Sequence, residues 1–300
     1  MARIQKTRGF SNVNILELED AVSYSEPDNL MLVDCLNLAF RFKNNGRKNF
    51  ASDYIRTVTS LAKSYNAKRV ILLTDYKHSS FRKEILPTYK VGRADKRADQ
   101  TEEEREEFLE FLEELDRALS LLKDSYIVIK FKNVEADDLA AYLVRHLSPH
   151  YNKTWLISTD KDWDLLLNDK VSRFSYVTRK EYTLDNFYEE HGCDTPQEFV
   201  SLKVLQGDSK DSVEGIKGVG VKRAYNLIRE YGDAIGLYEA LPLDGKSKVV
   251  QNINASADLI LRNYELLDLV DFCESAIAHP DPENITKLNN IINQVLKEDK

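Results

Sequence analysis

Nine carboxylates are grouped along this chain: Asp34, Asp75, Glu135 with Asp137 and Asp138, Asp160 with Asp162, and Asp208 with Asp211. Clustered acids are the donor set that hard divalent cations require. Magnesium takes oxygen ligands, keeps several waters, and is held by a few carboxylates together with substrate phosphate. Two such ions roughly 4 Å apart stabilise the attacking and the leaving oxygen of an in-line phosphodiester displacement. Nine acids suffice for two ions, with direct and supporting roles left open. Taken singly, each group has a plainer account. Glu135 and Asp138 fit the charge preference of a helix N-terminus, Asp160, Asp162 and above all Asp164 fit a capping turn, and Asp208 and Asp211 fit a solvated turn. Their joint order points to metal chemistry.

Two further stretches suggest phosphate. Gly215-Ile-Lys-Gly218-Val-Gly220-Val-Lys222-Arg223 reads as a helix–hairpin–helix turn. Its glycines let backbone approach a phosphate, a helix N-terminus follows, and Lys222 and Arg223 add charge-assisted contacts. In Tyr89-Lys90-Val-Gly92-Arg93, Lys90 and Arg93 suit a scissile phosphate and Tyr89 suits stacking on a base. By itself that second stretch is more simply a surface loop.

These residues need elements to hold them. Residues 30–33, 70–73, 126–129 and 155–157 are short apolar runs that read as buried strands, each followed by acids. Helical spacing at 54–65, 139–147 and 163–167 completes an α/β pattern with a mostly parallel sheet flanked by helices. The functional crevice of such a sheet lies beyond the carboxyl ends of its strands, so four strand ends deliver their acids to one edge. Residues 81–122 are an insert. Its basic first part leads to Thr101-Glu-Glu-Glu104, a capping box that opens an amphipathic helix with Phe108, Phe111, Leu112, Leu115, Leu119 and Leu122 on one face. That helix either covers the sheet or stands over the active edge. After about Glu198 the strand signals stop and the rest reads as helical; Asp208 and Asp211, three apart, share one face if their stretch is helical.

The chain has 300 residues, 42% of them hydrophobic, and a formal net charge of −8. The negative balance does not exclude DNA, because the excess is local: the clustered acids, and the glutamates between residues 102 and 107. No apolar run approaches the length of about 18 residues that spans a membrane. Cys35, Cys193 and Cys273 are odd in number and far apart, which fits a reducing compartment and neither a disulfide framework nor a zinc site.

The order of Asp after each of the first two strands, Tyr-Lys-x-x-Arg, Glu-Ala-Asp-Asp, Ser-Thr-Asp-x-Asp, Gly-Asp-x-x-Asp and Gly-x-x-Gly-x-Gly resembles the 5′-nuclease (flap endonuclease) family, most of all its bacteriophage members. Residues 1–28, basic at the start and without an apolar signal-peptide core, read as a poorly ordered lead-in, and the resemblance, which gives them no role, implies a PIN-like core at residues 29–205. It implies a helical arch at about 81–122 and a helical DNA-binding region at 206–300 with the hairpin at 215–231. The implied activity is a structure-specific 5′ flap endonuclease and 5′→3′ exonuclease acting on branched DNA with a free 5′ end. Two or more Mg²⁺ per site, replaceable by Mn²⁺, would sit on Asp34, Asp75, Glu135, Asp137, Asp138, Asp160, Asp162, Asp208 and Asp211. Lys90 and Arg93 would join Asp160 and Asp162 in catalysis, and Tyr89, Gly215, Gly218, Gly220, Lys222 and Arg223 would hold DNA. A monomer without membrane contact is implied, in the cytoplasm (the bacterial host's for a phage-encoded chain), with a replication polymerase as a candidate partner. Cys35 stands where the family commonly has glycine, and Ser212 where asparagine is usual. Two other readings are a junction-binding protein without chemistry and a ribonuclease that prefers RNA–DNA hybrid.

Overall fold

The computed structural model describes residues 27–92 and 99–299. Strands β1 (Asn29–Asp34), β2 (Ala67–Leu73), β3 (Ile127–Ile129), β4 (Thr154–Ile157), β5 (Val171–Ser175) and β6 (Lys180–Tyr182) form one sheet in the order β3-β2-β1-β4-β5-β6. All neighbours are parallel except β5 and β6. The apolar runs predict β1 to β4. They do not predict β5 and β6, whose Val-Ser-Arg-Phe-Ser and Lys-Glu-Tyr sequences interrupt any apolar pattern.

Successive side chains alternate across the pleat and feed two cores. Met31, Val33, Val70 and Leu72 pack with α1 (Cys35–Asn44), α2 (Ala51–Ser64) and the buried face of α4 (Glu102–Leu122). Leu30, Leu32, Ile71 and Leu73 pack with α5 (Ala136–Leu147). This second core runs on into the C-terminal helices, among them α6 (Pro196–Gln206), α7 (Val221–Tyr231), α8 (Ala257–Leu267), α9 (Leu269–Ala278) and α10 (Glu283–Glu298). Between β2 and α4 lies the short helix α3 (Ser80–Ile85).

Thr101 and Glu104 form the expected capping box. From Phe111 onward α4 is a covering helix, since Phe111, Leu115, Leu119 and Leu122 are buried, whereas residues 102–107 are exposed. The lead-in expected at 1–28 lies outside the described residues except for Pro27 and Asp28, and so does Arg93.

Two expectations need correction. The helix expected at 163–167 is a 3-10 turn, Lys161–Leu166. Strands also reappear after residue 198: β7 (Gly207–Asp208) pairs antiparallel with β8 (Val213–Glu214). Asp208 and Asp211 therefore lie in and beside a tight turn, not on a helix face. The cause is two facing glycines. A Cβ on Gly207 would stand 2.4 Å from the Gly215 nitrogen, and one on Gly215 would stand 2.1 Å from the Gln206 carbonyl carbon. Only glycine lets the chain leave α6 and cross itself this closely. Among the described residues no helix is long and apolar enough to cross a membrane.

Candidate active site

The chain order reverses between β1 and β4, which opens a crevice beyond their carboxyl ends. Asp34 ends β1 and caps α1. Its Oδ1 accepts from the Asn37 N–H at 3.1 Å and its Oδ2 from the Ser158 hydroxyl, just past β4, at 2.9 Å. Asp75 follows β2 and accepts at 2.6 Å from the N–H of Ala136, which opens α5. Asp137, in the first turn of α5, accepts from the Trp163 indole at 2.6 Å. Asp160 caps the 3-10 turn by accepting from the Asp162 N–H at 3.1 Å. With Asp162, Asp208 and Asp211, these make seven aspartates lining one cleft of roughly 180 Å³, against three cations, Lys90, Lys161 and Lys210.

That imbalance is visible in the carboxyl groups. Burial, and then the charge of Asp75, pushes Asp34 up to about 8. Burial and Glu135 raise Asp75 to about 6. Asp137 is raised by burial and Asp160, and Asp160 by burial and Asp162. Acids that hold protons this firmly are short of positive charge, and a divalent ion supplies it. The donors are hard oxygens, which suit magnesium or manganese. Among the described residues no three His, Cys, Asp or Glu side chains close on one point. The acids are spread along the cleft wall, and magnesium completes its shell with water and substrate oxygens.

Glu135 and Asp138 stand behind this wall in a buried ion network. Arg82 grips Asp138 with two bonds of 2.7 Å, reaches Glu135 at 3.4 Å and donates Nε to the Leu266 carbonyl of α8 at 3.0 Å. Lys90 Nζ lies 2.7 Å from Glu135 and 4.0 Å from Asp211. Burial alone would raise Glu135, but Lys90 and Arg82 outweigh it and hold the group down at about 2. Tyr89 requires a correction. Its ring is 3% exposed, and its hydroxyl is within reach of Glu135 at 3.2 Å and Asp211 at 3.3 Å, so it presents no face to a base. Lys90 is also buried, yet it lines the cleft.

Lys203 of α6 is an important cation that the motifs do not reveal. Its ammonium contacts both Asp162 and, at 3.1 Å, Asp208. Its sequence signal is a lone charge among Val200, Leu202, Val204 and Leu205. Cys35 is buried in the α1 side of the core and leaves the Asp34 bonds intact. Ser212 holds φ 61, the left-handed region that asparagine tolerates better.

At the hairpin, Gly218 takes φ +89, while Gly220 has open space around it and precedes α7, whose first turn no side chain caps. Lys222 is exposed, and the exposed Arg223 guanidinium donates to the Gly218 carbonyl. Gly215 belongs to the chain crossing described above.

Comparison with known proteins agrees with this geometry. The family described as 5′–3′ exonuclease, N-terminal resolvase-like domain, matches residues 29–192, and the 5′–3′ exonuclease C-terminal SAM fold matches residues 194–289. The flap endonuclease of Escherichia phage T5 is 46% identical over 93% of this chain and 97% of its own length. A 5′–3′ exonuclease of Bacillus subtilis is 28% identical over 75% of this chain and 79% of its own. The crystal structure of the phage T5 flap endonuclease in a pseudo-enzyme-product complex with DNA and metal ions superposes with a TM-score of 0.86 at 47% identity, covering 90% of this chain and 99% of that one. With both family domains present in order and a cleft of strand-end aspartates between them, the chain belongs to the 5′–3′ exonuclease family.

Proposed function

We propose that this chain is a divalent-metal-dependent 5′-nuclease that cuts DNA at single-strand/duplex junctions and trims 5′ ends, with magnesium as its working ion. One observation carries the reading: seven aspartates from both parts of the chain line a single cleft, and four of them, Asp34, Asp75, Asp137 and Asp160, hold their protons more firmly than ordinary carboxyls. The phage relative bound to DNA and metal ions supports it. Asp34, Asp75, Asp137, Asp160, Asp162, Asp208 and Asp211 would hold the ions, which when bound polarise a phosphodiester and activate water.

The chain's own groups set the rest. Glu135 and Asp138 act through Lys90 and Arg82, fixing α5 and the Lys90 loop against the cleft. Lys90 turns from Glu135 toward an incoming phosphate, and Arg93, outside the described residues, is expected to serve the same phosphate. Lys222, Arg223 and the open backbone at Gly220 hold duplex phosphates. The remaining expectations, a monomer in a bacterial cytoplasm with action on RNA–DNA hybrid and recruitment by a replication polymerase, are parts of the same proposal.

The test is a 5′-labelled flap DNA with magnesium and then excess chelator, beside Asp160→Asn plus Asp162→Asn protein. Magnesium-dependent junction cleavage, lost in the double variant, is the expected result. Binding without cleavage in any divalent metal would leave a junction-binding protein. Faster digestion of matched hybrid would leave a ribonuclease.

A further inference from the structure

The segment 158–164 carries Asp160 and Asp162, and its internal side-chain bonds, Asp160 N–H to the Ser158 hydroxyl and Asp162 N–H to Asp160, fix its first half but do not reach Asp164. Side chains leave it in three directions. Asp160 and Asp162 line the cleft, Trp163 is buried and reaches sideways to Asp137, and Asp164 points backward and is fully buried. Behind the segment sits Arg173 of β5, 1% exposed. Its Nη1 donates to the Ser158 carbonyl at 3.0 Å, at the start of the segment. Its Nε and Nη2 donate to the two Asp164 oxygens at 2.5 and 2.7 Å, at the end. One planar guanidinium therefore ties both ends of the acid-bearing segment together. The guanidinium stacks 3.9 Å from the Tyr182 ring of β6, and the His191 Nε2 lies 2.9 Å from Asp164 Oδ2. Phe187 and Phe199 flank that imidazole.

We propose that Arg173, with Asp164 and His191, is a clasp that sets the separation of Asp160 and Asp162 and so positions them to bind metal. The proposal rests on the metal-nuclease reading above. It explains why a guanidinium is present where the charge alone would not do. Arg holds two groups in a fixed plane through a rigid fork, whereas Lys offers one point charge. It also explains why β5 and β6 extend the sheet past β4, since they bring Arg173 and Tyr182 under the segment. Arg173 is buried and is not among the residues that line the cleft, so it is a positioning residue. Outer groups that orient metal ligands typically change metal affinity or activity by about 10–100-fold when altered.

The experiment is calorimetric titration of Mn²⁺ into the full-length parent, Arg173→Lys and His191→Phe proteins, with thermal unfolding of each recorded first. Arg173→Lys keeps the charge and loses the fork. It should weaken Mn²⁺ binding about tenfold or more at a temperature where the variant is fully folded. The half-saturating metal concentration for flap cleavage should rise in step, with flap DNA affinity in chelator unchanged. A merely structural role would lower the unfolding temperature and leave Mn²⁺ affinity alone, and that result overturns the proposal. Should Arg173→Lys not fold, His191→Phe decides. It keeps the ring packing and removes one bond to Asp164, so a smaller fall in Mn²⁺ affinity is expected, and unchanged affinity overturns the clasp. Because Mn²⁺ binding is read without DNA, a parent that binds metal but cuts nothing would overturn the nuclease reading while leaving the clasp decided by the titration.

Discussion

Asp34 does two things with one carboxylate, and they pull its chemistry in opposite directions. As the cap of α1 it accepts a backbone hydrogen bond, which favours the ionised form. As a buried cleft acid beside Asp75 it is pushed the other way, and the second effect wins, at about 8 against an ordinary value of 3.8. Asp75 follows at about 6. A carboxyl whose pKa is raised on folding contributes stability below its unfolded value and loses it as pH rises through its folded value. For the metal-free protein that loss runs from about 3.8 upward through 6 to 8. A cation competes with those same protons, so its hold strengthens over the same interval. The rise in unfolding temperature on adding magnesium should therefore be small at about pH 6 and clearly larger at about pH 8. Thermal scans at both values check this, and a shift indifferent to pH would mean that other groups hold the ion.

At the scale of elements, the hairpin before α7 makes a separate prediction. Lys222 and Arg223 sit on the exposed first turn of that helix, where no side-chain cap competes for its amides. Replacing both with alanine should flatten the salt dependence of duplex binding by about 0.9 per lost phosphate contact in a log–log plot. An unchanged slope from filter binding or anisotropy would place the duplex grip elsewhere. The strands of the core were legible because parallel strands covered on both faces read as unbroken apolar runs, as in Leu30 to Val33. The acids were legible because they follow those runs. β5 was not legible, because the buried Arg173 within it has the outward look of a surface residue. The β7–β8 ladder was not legible either, because two residues per strand carry no period. The cations that organise the site were hidden for a further reason. Arg82 and Asp138 are 56 residues apart, and Lys203 and Asp162 are 41 apart. Nothing local in the sequence says that either pair will meet.

At the scale of the whole molecule, the two family domains share one apolar core, in which Leu30 and Ile71 of the sheet belong to the same cluster as Ile277 and Leu288 of the C-terminal helices. Arg82 adds a polar tie, joining Asp138 of α5 to the Leu266 carbonyl of α8. Arg82→Ala would leave Asp138 buried without its partner, and breaking such a pair typically destabilises by about 3–5 kcal/mol. Calorimetry should show that loss within one cooperative transition, because the core is continuous. Two separated transitions would mean that the domains unfold independently. The distribution of the cleft acids has a consequence for synthesis. Asp34, Asp75, Asp137, Asp160 and Asp162 precede the Gly207–Gly215 crossing, whereas Asp208 and Asp211 lie within it. A nascent chain on the ribosome lacks the last two acids, and the Asp211 contacts of Tyr89 and Lys90, until translation has passed that crossing. The full set of cleft acids is therefore completed only a few residues before the hairpin, so the acid cleft and the hairpin proposed to hold duplex DNA emerge almost at the same moment.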